Sequence, residues 1–124
     1  MNPLRSLILA AAEAESIRKA VKTAPVTRSV VERFVAGETT EDAVAVVARL
    51  ADEGLHVTLD YLGEDVTDNA QAETTVQAYL QLLDQLHAAK LTPRAEVSVK
   101  LSALGLKLDE RLAADNAFRI CAAA

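Results

Sequence analysis

Two short runs of alternating, β-branched residues, separated by one long amphipathic stretch, constrain this chain more than any other feature. Residues 55–59 read LHVTL and residues 95–101 read AEVSVKL. In both, apolar and polar side chains alternate with the period of two that marks a half-buried strand. Between them Val76, Tyr79, Leu80, Leu83, Leu86 and His87 recur three or four residues apart, the spacing of a helix with one apolar face. A crossover of this length joins parallel strands with right-handed sense. Two parallel strands do not make a self-sufficient sheet, because parallel sheets are covered on both faces and need further neighbours.

The rest of the chain reads as helix. Asn2 followed by Pro3 is a helix start, with helices expected over 3–12 and 16–22 and an interruption at Pro25. Thr27 opens a helix carrying Val30, Val31, Phe34 and Val35 on one face, stopped by Gly37. Thr39 with Asp42 forms a capping box for the next helix, whose stripe is Ala43, Val44, Val47, Leu50 and Ala51, and Gly54 sits where a terminating glycine belongs. Asp68 caps the long helix, Thr92 and Pro93 break it, and Asp109 or Glu110 starts a last one through Leu112, Ala117 and Ile120. The run Cys121, Ala122, Ala123, Ala124 carries no stop signal. The reading is an α/β chain, a helical segment over 1–54 and two βα units over 55–124, forming the N-terminal part of a larger protein cut mid-helix.

Composition narrows the function classes. The 13 basic residues against 18 acidic ones, a formal charge of −5, argue against a nucleic-acid partner. The single cysteine, Cys121, excludes an internal disulfide and a multi-cysteine metal centre. It fits a cytoplasmic compartment, where it is expected to be a small buried apolar group. With no tryptophan and 3% aromatic residues, the core is expected to consist of Ala, Leu and Val. The apolar residues near the N-terminus are followed at once by Glu13 and Glu15, so they fit a buried helix rather than a signal peptide or a membrane span.

Alternation sorts the strand side chains. Val57, Leu59, Val97, Val99 and Leu101 are expected to face the covering helices. Thr58, Asp60, Ser98 and Lys100 then point the other way, to a barrel interior or a second helical layer. Asp60 and Lys100 fall near the C-terminal ends of their strands, where parallel α/β enzymes place their sites. The two form either a functional pair or a solvated structural one. His56 and His87 lack a second ligand at metal-binding spacing, so no metal is expected. No glycine-rich phosphate loop or nucleophile elbow is present, and Gly63 and Gly105 stand alone.

Residues 96–104, EVSVKLSAL, resemble the S-[VI]-K-L-S-A-L strand of proline dehydrogenases, and residues 57–64, VTLDYLGE, are similar to that family's first-strand D-x-L-G-E segment. Residues 33–39 and 116–122 also resemble the shorter, monofunctional bacterial enzymes. The resemblance implies a distorted (β/α)8 TIM-type barrel preceded by a few helices, of which residues 55–124 are the first two βα units. It implies non-covalent FAD and oxidation of L-proline to Δ1-pyrroline-5-carboxylate, the first step of proline breakdown to glutamate. Electrons would pass to membrane quinone, with a cytoplasmic enzyme peripheral at the inner membrane face.

Lys100 matches the family lysine that contacts the substrate carboxylate, and Asp60 the acidic residue beside it. Together they are the expected catalytic pair, with hydride passing from the proline ring to the flavin N5. The family's flavin-binding residues and its arginine pair fall on later strands and a later helix, which this sequence does not contain. No cofactor-binding residue is therefore assigned, and the chain alone is expected to bind no flavin and to be inactive. Two alternatives stay open: a non-catalytic helical interaction module, and the start of another barrel enzyme.

Overall fold

The structure, a computed structural model, describes residues 36–37, 39–63 and 66–124. The helices expected before residue 36 lie outside the described residues. Residues 38–124 form one compact unit, mixed α/β, with three α-helices and two parallel strands among the described residues.

Helix α1, Thr40–Asp52, begins with the expected capping box. The Asp42 amide donates to Thr39 Oγ1 at 3.2 Å and the Thr39 amide to Asp42 Oδ2 at 3.3 Å. It closes on Gly54, whose φ of +81° lets the Gly54 amide reach the Ala51 carbonyl (2.9 Å) and the Leu55 amide the Leu50 carbonyl (3.0 Å). Strand β1, Val57–Asp60, follows, then helix α2, Asn69–Ala88, capped by Asp68 accepting the Gln71 amide at 2.9 Å.

Helix α2 ends with the same pair of bonds as α1, Lys90 to His87 and Leu91 to Leu86, both at 2.9 Å. Here, however, the left-handed position is held by Lys90, with φ +59°. An L-residue is strained there, so Lys90→Gly is expected to stabilise the fold by about 0.5–1 kcal/mol, net of the unfolded-state entropy that glycine adds. Urea denaturation measures it, and a loss of stability would show that the Lys90 side chain contributes more than its backbone strain costs.

Strand β2, Ala95–Ser98, lies parallel to β1 in an unbroken register that pairs Val57 with Ala95, Thr58 with Glu96, Leu59 with Val97 and Asp60 with Ser98. Alternation holds over this ladder. Val57, Leu59, Ala95 and Val97 pack with Val47, Leu82 and Leu86 between α1, α2 and the sheet. A second cluster joins α2 to the C-terminal elements through Val76, Tyr79, Leu83, Leu104, Ala113 and Ile120. Because α2 contributes to both clusters, its buried face is wider than the expected stripe and includes Leu82, while His87 at its edge is exposed.

Two expectations are corrected beyond the ladder. The second strand does not run to Leu101. After Ser98 the chain turns into a 3-10 helix, Leu101–Leu104, which ends alternation. Leu101 is left 48% exposed, and the buried place goes to Leu104. Helix α3, Glu110–Ala123, is capped by Asp109 and buries Ala113, Asn116 and Ile120. Cys121, expected to be buried, is exposed, because it sits about 100° around the helix from Ile120 and off that stripe. No helix among the described residues is long and apolar enough to cross a membrane.

Candidate active site at the strand ends

The uncovered face of the sheet carries Thr58 and Asp60 from β1 and Glu96 and Ser98 from β2, all exposed. Thr58 and Glu96 are register partners, and Thr58 Oγ1 donates to Glu96 Oε1 at 2.9 Å. One step further along, Asp60 ends β1. Lys100 lies two residues past β2 in extended backbone, directly before the 3-10 helix. The structure brings these two sequence-derived candidates together, with Lys100 Nζ 2.8 Å from Asp60 Oδ2. Their side chains are 41% and 38% exposed, so the ion pair itself adds at most about 1 kcal/mol to stability. It presents instead an oriented ammonium, open to solvent, at the C-terminal end of parallel strands.

Tyr79 is the residue that sequence reasoning missed. Its ring, on α2, is fully buried and by itself satisfies the apolar stripe of that helix. Its hydroxyl emerges between the two strand ends. The oxygen accepts the Tyr61 amide at 3.1 Å, and its proton is shared between the Ser98 carbonyl at 2.8 Å and Asp60 Oδ1 at 3.2 Å. Burial, followed by the nearby Asp60 carboxylate, raises the phenol above its ordinary value. Tyr61 meets the Tyr79 ring edge-on, centroids 6.1 Å apart.

The two histidines lie away from this cluster. His56 sits at the opposite end of the strands, 3.1 Å from Arg94, in a cleft of about 260 Å3 that Thr58 and Glu96 also line. Among the described residues no group of three His, Cys, Asp or Glu side chains could hold a metal ion. The helices that follow the two strands begin at Asp68 and Asp109, whose carboxylates already accept the first-turn amides of Gln71 and Leu112. Helix N-termini are the natural phosphate sites of βα units. Here the chain's own carboxylate takes one first-turn amide of each helix, so neither end offers its full set of amides to a phosphate.

The loop that carries Lys100 is tied to its surroundings by a polar chain. Buried Asn116 donates to the Leu104 carbonyl at 3.0 Å and accepts from Arg119, and Arg119 grips Glu73 of α2 through two bonds of 2.6 and 2.7 Å. Arg119, with Gln77 as the next contributor, lowers Glu73 from 4.5 to about 2. A depressed carboxylate favours the folded state above its unfolded value and loses that contribution as pH falls through the folded value. The stability advantage of wild type over Glu73→Gln is therefore expected to be full above pH 4.5 and to shrink towards about pH 2. Paired denaturation curves across that window test it, and a pH-independent difference would show that the bond does not depend on the carboxylate's charge.

Two parallel strands joined by a helical crossover, with a charged pair at their C-terminal ends, are the layout of the βα units in which parallel α/β enzymes place their sites. Comparison with known sequences makes the class specific. The family model for proline dehydrogenase matches residues 43–124. The chain is 36% identical over 110 residues to proline dehydrogenase 1 of Bacillus subtilis, an alignment covering 89% of this chain and 35% of that protein. It is 40% identical over 96 residues to the proline dehydrogenase of Deinococcus radiodurans, covering 75% of this chain and 30% of the relative. The chain belongs to the proline dehydrogenase family and spans about a third of the length of these curated relatives.

Proposed function

We propose that the full-length protein oxidises L-proline to Δ1-pyrroline-5-carboxylate with FAD and delivers the electrons to membrane quinone. It would do so as a cytoplasmic enzyme, peripheral at the inner membrane face. In this reading residues 55–124 are the first two βα units of a (β/α)8 barrel and residues 1–54 are the helical segment before them.

The observation that carries the proposal is the Asp60–Lys100 contact of 2.8 Å. It joins the two motifs through which the sequence resembles the family, and both lie inside the region matched by the family model. The Lys100 ammonium would bind the proline carboxylate by a charge-assisted hydrogen bond, fixing one end of the ring. Asp60 would hold the lysine in place and balance its charge while the site is empty. The flavin supplies the redox chemistry.

Purified full-length protein is expected to carry flavin absorbance and to reduce an electron-accepting dye only when proline is added. Absence of both overturns the reading. Residues 1–124 alone are expected to take up no FAD, and stoichiometric reconstitution of that segment would overturn this expectation.

A further inference from the structure

Tyr79 carries more chemistry than its place in the core requires. The ring is packed among Val76, Leu83, Leu104 and Ile120, a volume that phenylalanine would fill equally well. The hydroxyl is the addition, and it sits where the two strands deliver the charged pair. It accepts the amide of Tyr61, the residue after Asp60, and donates towards the carbonyl of Ser98, two residues before Lys100. It also reaches Asp60 Oδ1, leaving Oδ2 to Lys100. One buried oxygen thus ties β1 to β2 at the end of their ladder and engages the second oxygen of the Asp60 carboxylate.

We propose that Tyr79 is a positioning residue for the substrate-binding lysine: its hydroxyl fixes the Asp60 carboxylate, and Asp60 in turn holds the Lys100 ammonium where a substrate carboxylate meets it. The inference rests on the functional reading above and deepens it. The phenol stays protonated because burial raises it, so its one proton remains shared between the Ser98 carbonyl and Asp60 Oδ1. Without the hydroxyl, the half-exposed Asp60 side chain can turn towards water, which loosens its contact with Lys100. The loss falls on the binding of substrate and transition state alike, which raises KM and leaves kcat nearly unchanged.

The test uses the full-length protein with Tyr79→Phe, Asp60→Asn and the double variant, measured by steady-state proline oxidation. Tyr79→Phe is expected to raise KM about tenfold, the scale of one hydrogen bond to a charged group, with kcat within about twofold. Asp60→Asn is expected to raise KM at least as much. In the Asp60→Asn background the tyrosine change is expected to move KM by less than about twofold, because the two act in one chain. A purely structural tyrosine would lower the melting temperature and act equally in both backgrounds.

A Tyr79→Phe enzyme with wild-type KM, or an equal effect with and without Asp60, overturns the assignment. Should Tyr79→Phe fail to fold, Asp60→Asn alone decides, because unchanged KM in that variant removes the link through which the tyrosine acts. A wild-type protein that does not turn over proline sinks the functional reading and this inference together. An active wild type with a silent Tyr79→Phe sinks only the inference.

Discussion

Lys100→Ala in the full-length protein is expected to lower kcat/KM for proline by about a hundredfold or more, carried mainly by KM. Two effects combine. The substrate carboxylate loses a charge-assisted hydrogen bond, worth about 1.5–3 kcal/mol. Asp60, 2.8 Å from the missing ammonium, is then an uncompensated carboxylate beside the substrate's own, and like charges in one site repel. Together they reach about 3 kcal/mol, or two decades in rate. Lys100→Arg keeps the charge but replaces a compact ammonium with a longer planar fork, so an intermediate loss is expected. Because the pair is half exposed, neither variant is expected to shift the melting temperature by more than a degree or so. Steady-state kinetics on protein with intact flavin content reads the result. A Lys100→Ala enzyme within about threefold of wild type would remove Lys100 from the binding of proline.

The features read correctly from sequence were those whose physics is local. Thr39 with Asp42, Asp68 and Asp109 act on amides three residues away, so a cap is recognisable without knowing the fold. Strand alternation likewise placed Asp60 and Lys100 on one side; the register pairs Asp60 with Ser98, and Lys100, two residues further on, reaches back to Asp60 with its side chain. The same rule failed where the geometry changed. Leu101 continues the pattern of AEVSVKL, but the backbone leaves the strand after Ser98, and a period of two says nothing about a turn with three residues per cycle.

Non-local chemistry was less visible. Tyr79 satisfies the helical stripe by its ring, and periodicity treats it as one more apolar residue. Its hydroxyl acquires a meaning only once the ends of two strands, 18 or 19 residues away, are known to converge on it. Asn116 offered a usable signal. It falls at helical spacing between Ala113 and Ile120, and a polar residue on a buried stripe must find partners, here the Leu104 carbonyl and Arg119. The exposure of Cys121 follows from the same stripe, which the residue's usual habit of burial had overridden.

Gly105→Val is expected to lower unfolding stability by about 4 kcal/mol, with Gly105→Ala costing about half as much. Gly105 ends the 3-10 helix with φ +100°, a conformation that a β-branched side chain tolerates poorly. Space is short as well, since a Cβ there would lie 3.0 Å from Leu112 Cδ2 and 3.5 Å from the Ala72 side chain. Leu112 is only partly buried and can swing aside for a single methyl, but the branches of valine extend the clash. Moving the backbone instead would strain the bonds that the Gly105 carbonyl accepts from the amides of Leu108 and Asp109, at 2.8 and 3.0 Å, and with them the start of α3. Urea denaturation of the full-length variants is the measurement, and a Gly105→Val protein as stable as wild type would mean that this turn can adopt another conformation. The contrast with Lys100→Ala is the useful part. Lys100 and Gly105 flank the same four-residue 3-10 helix, yet one variant should lose proline turnover with its stability intact, while the other should lose stability first. Finding both losses in both variants would mean that the loop and the ion pair form one cooperative unit, with the lysine's contribution to binding inseparable from its contribution to the fold.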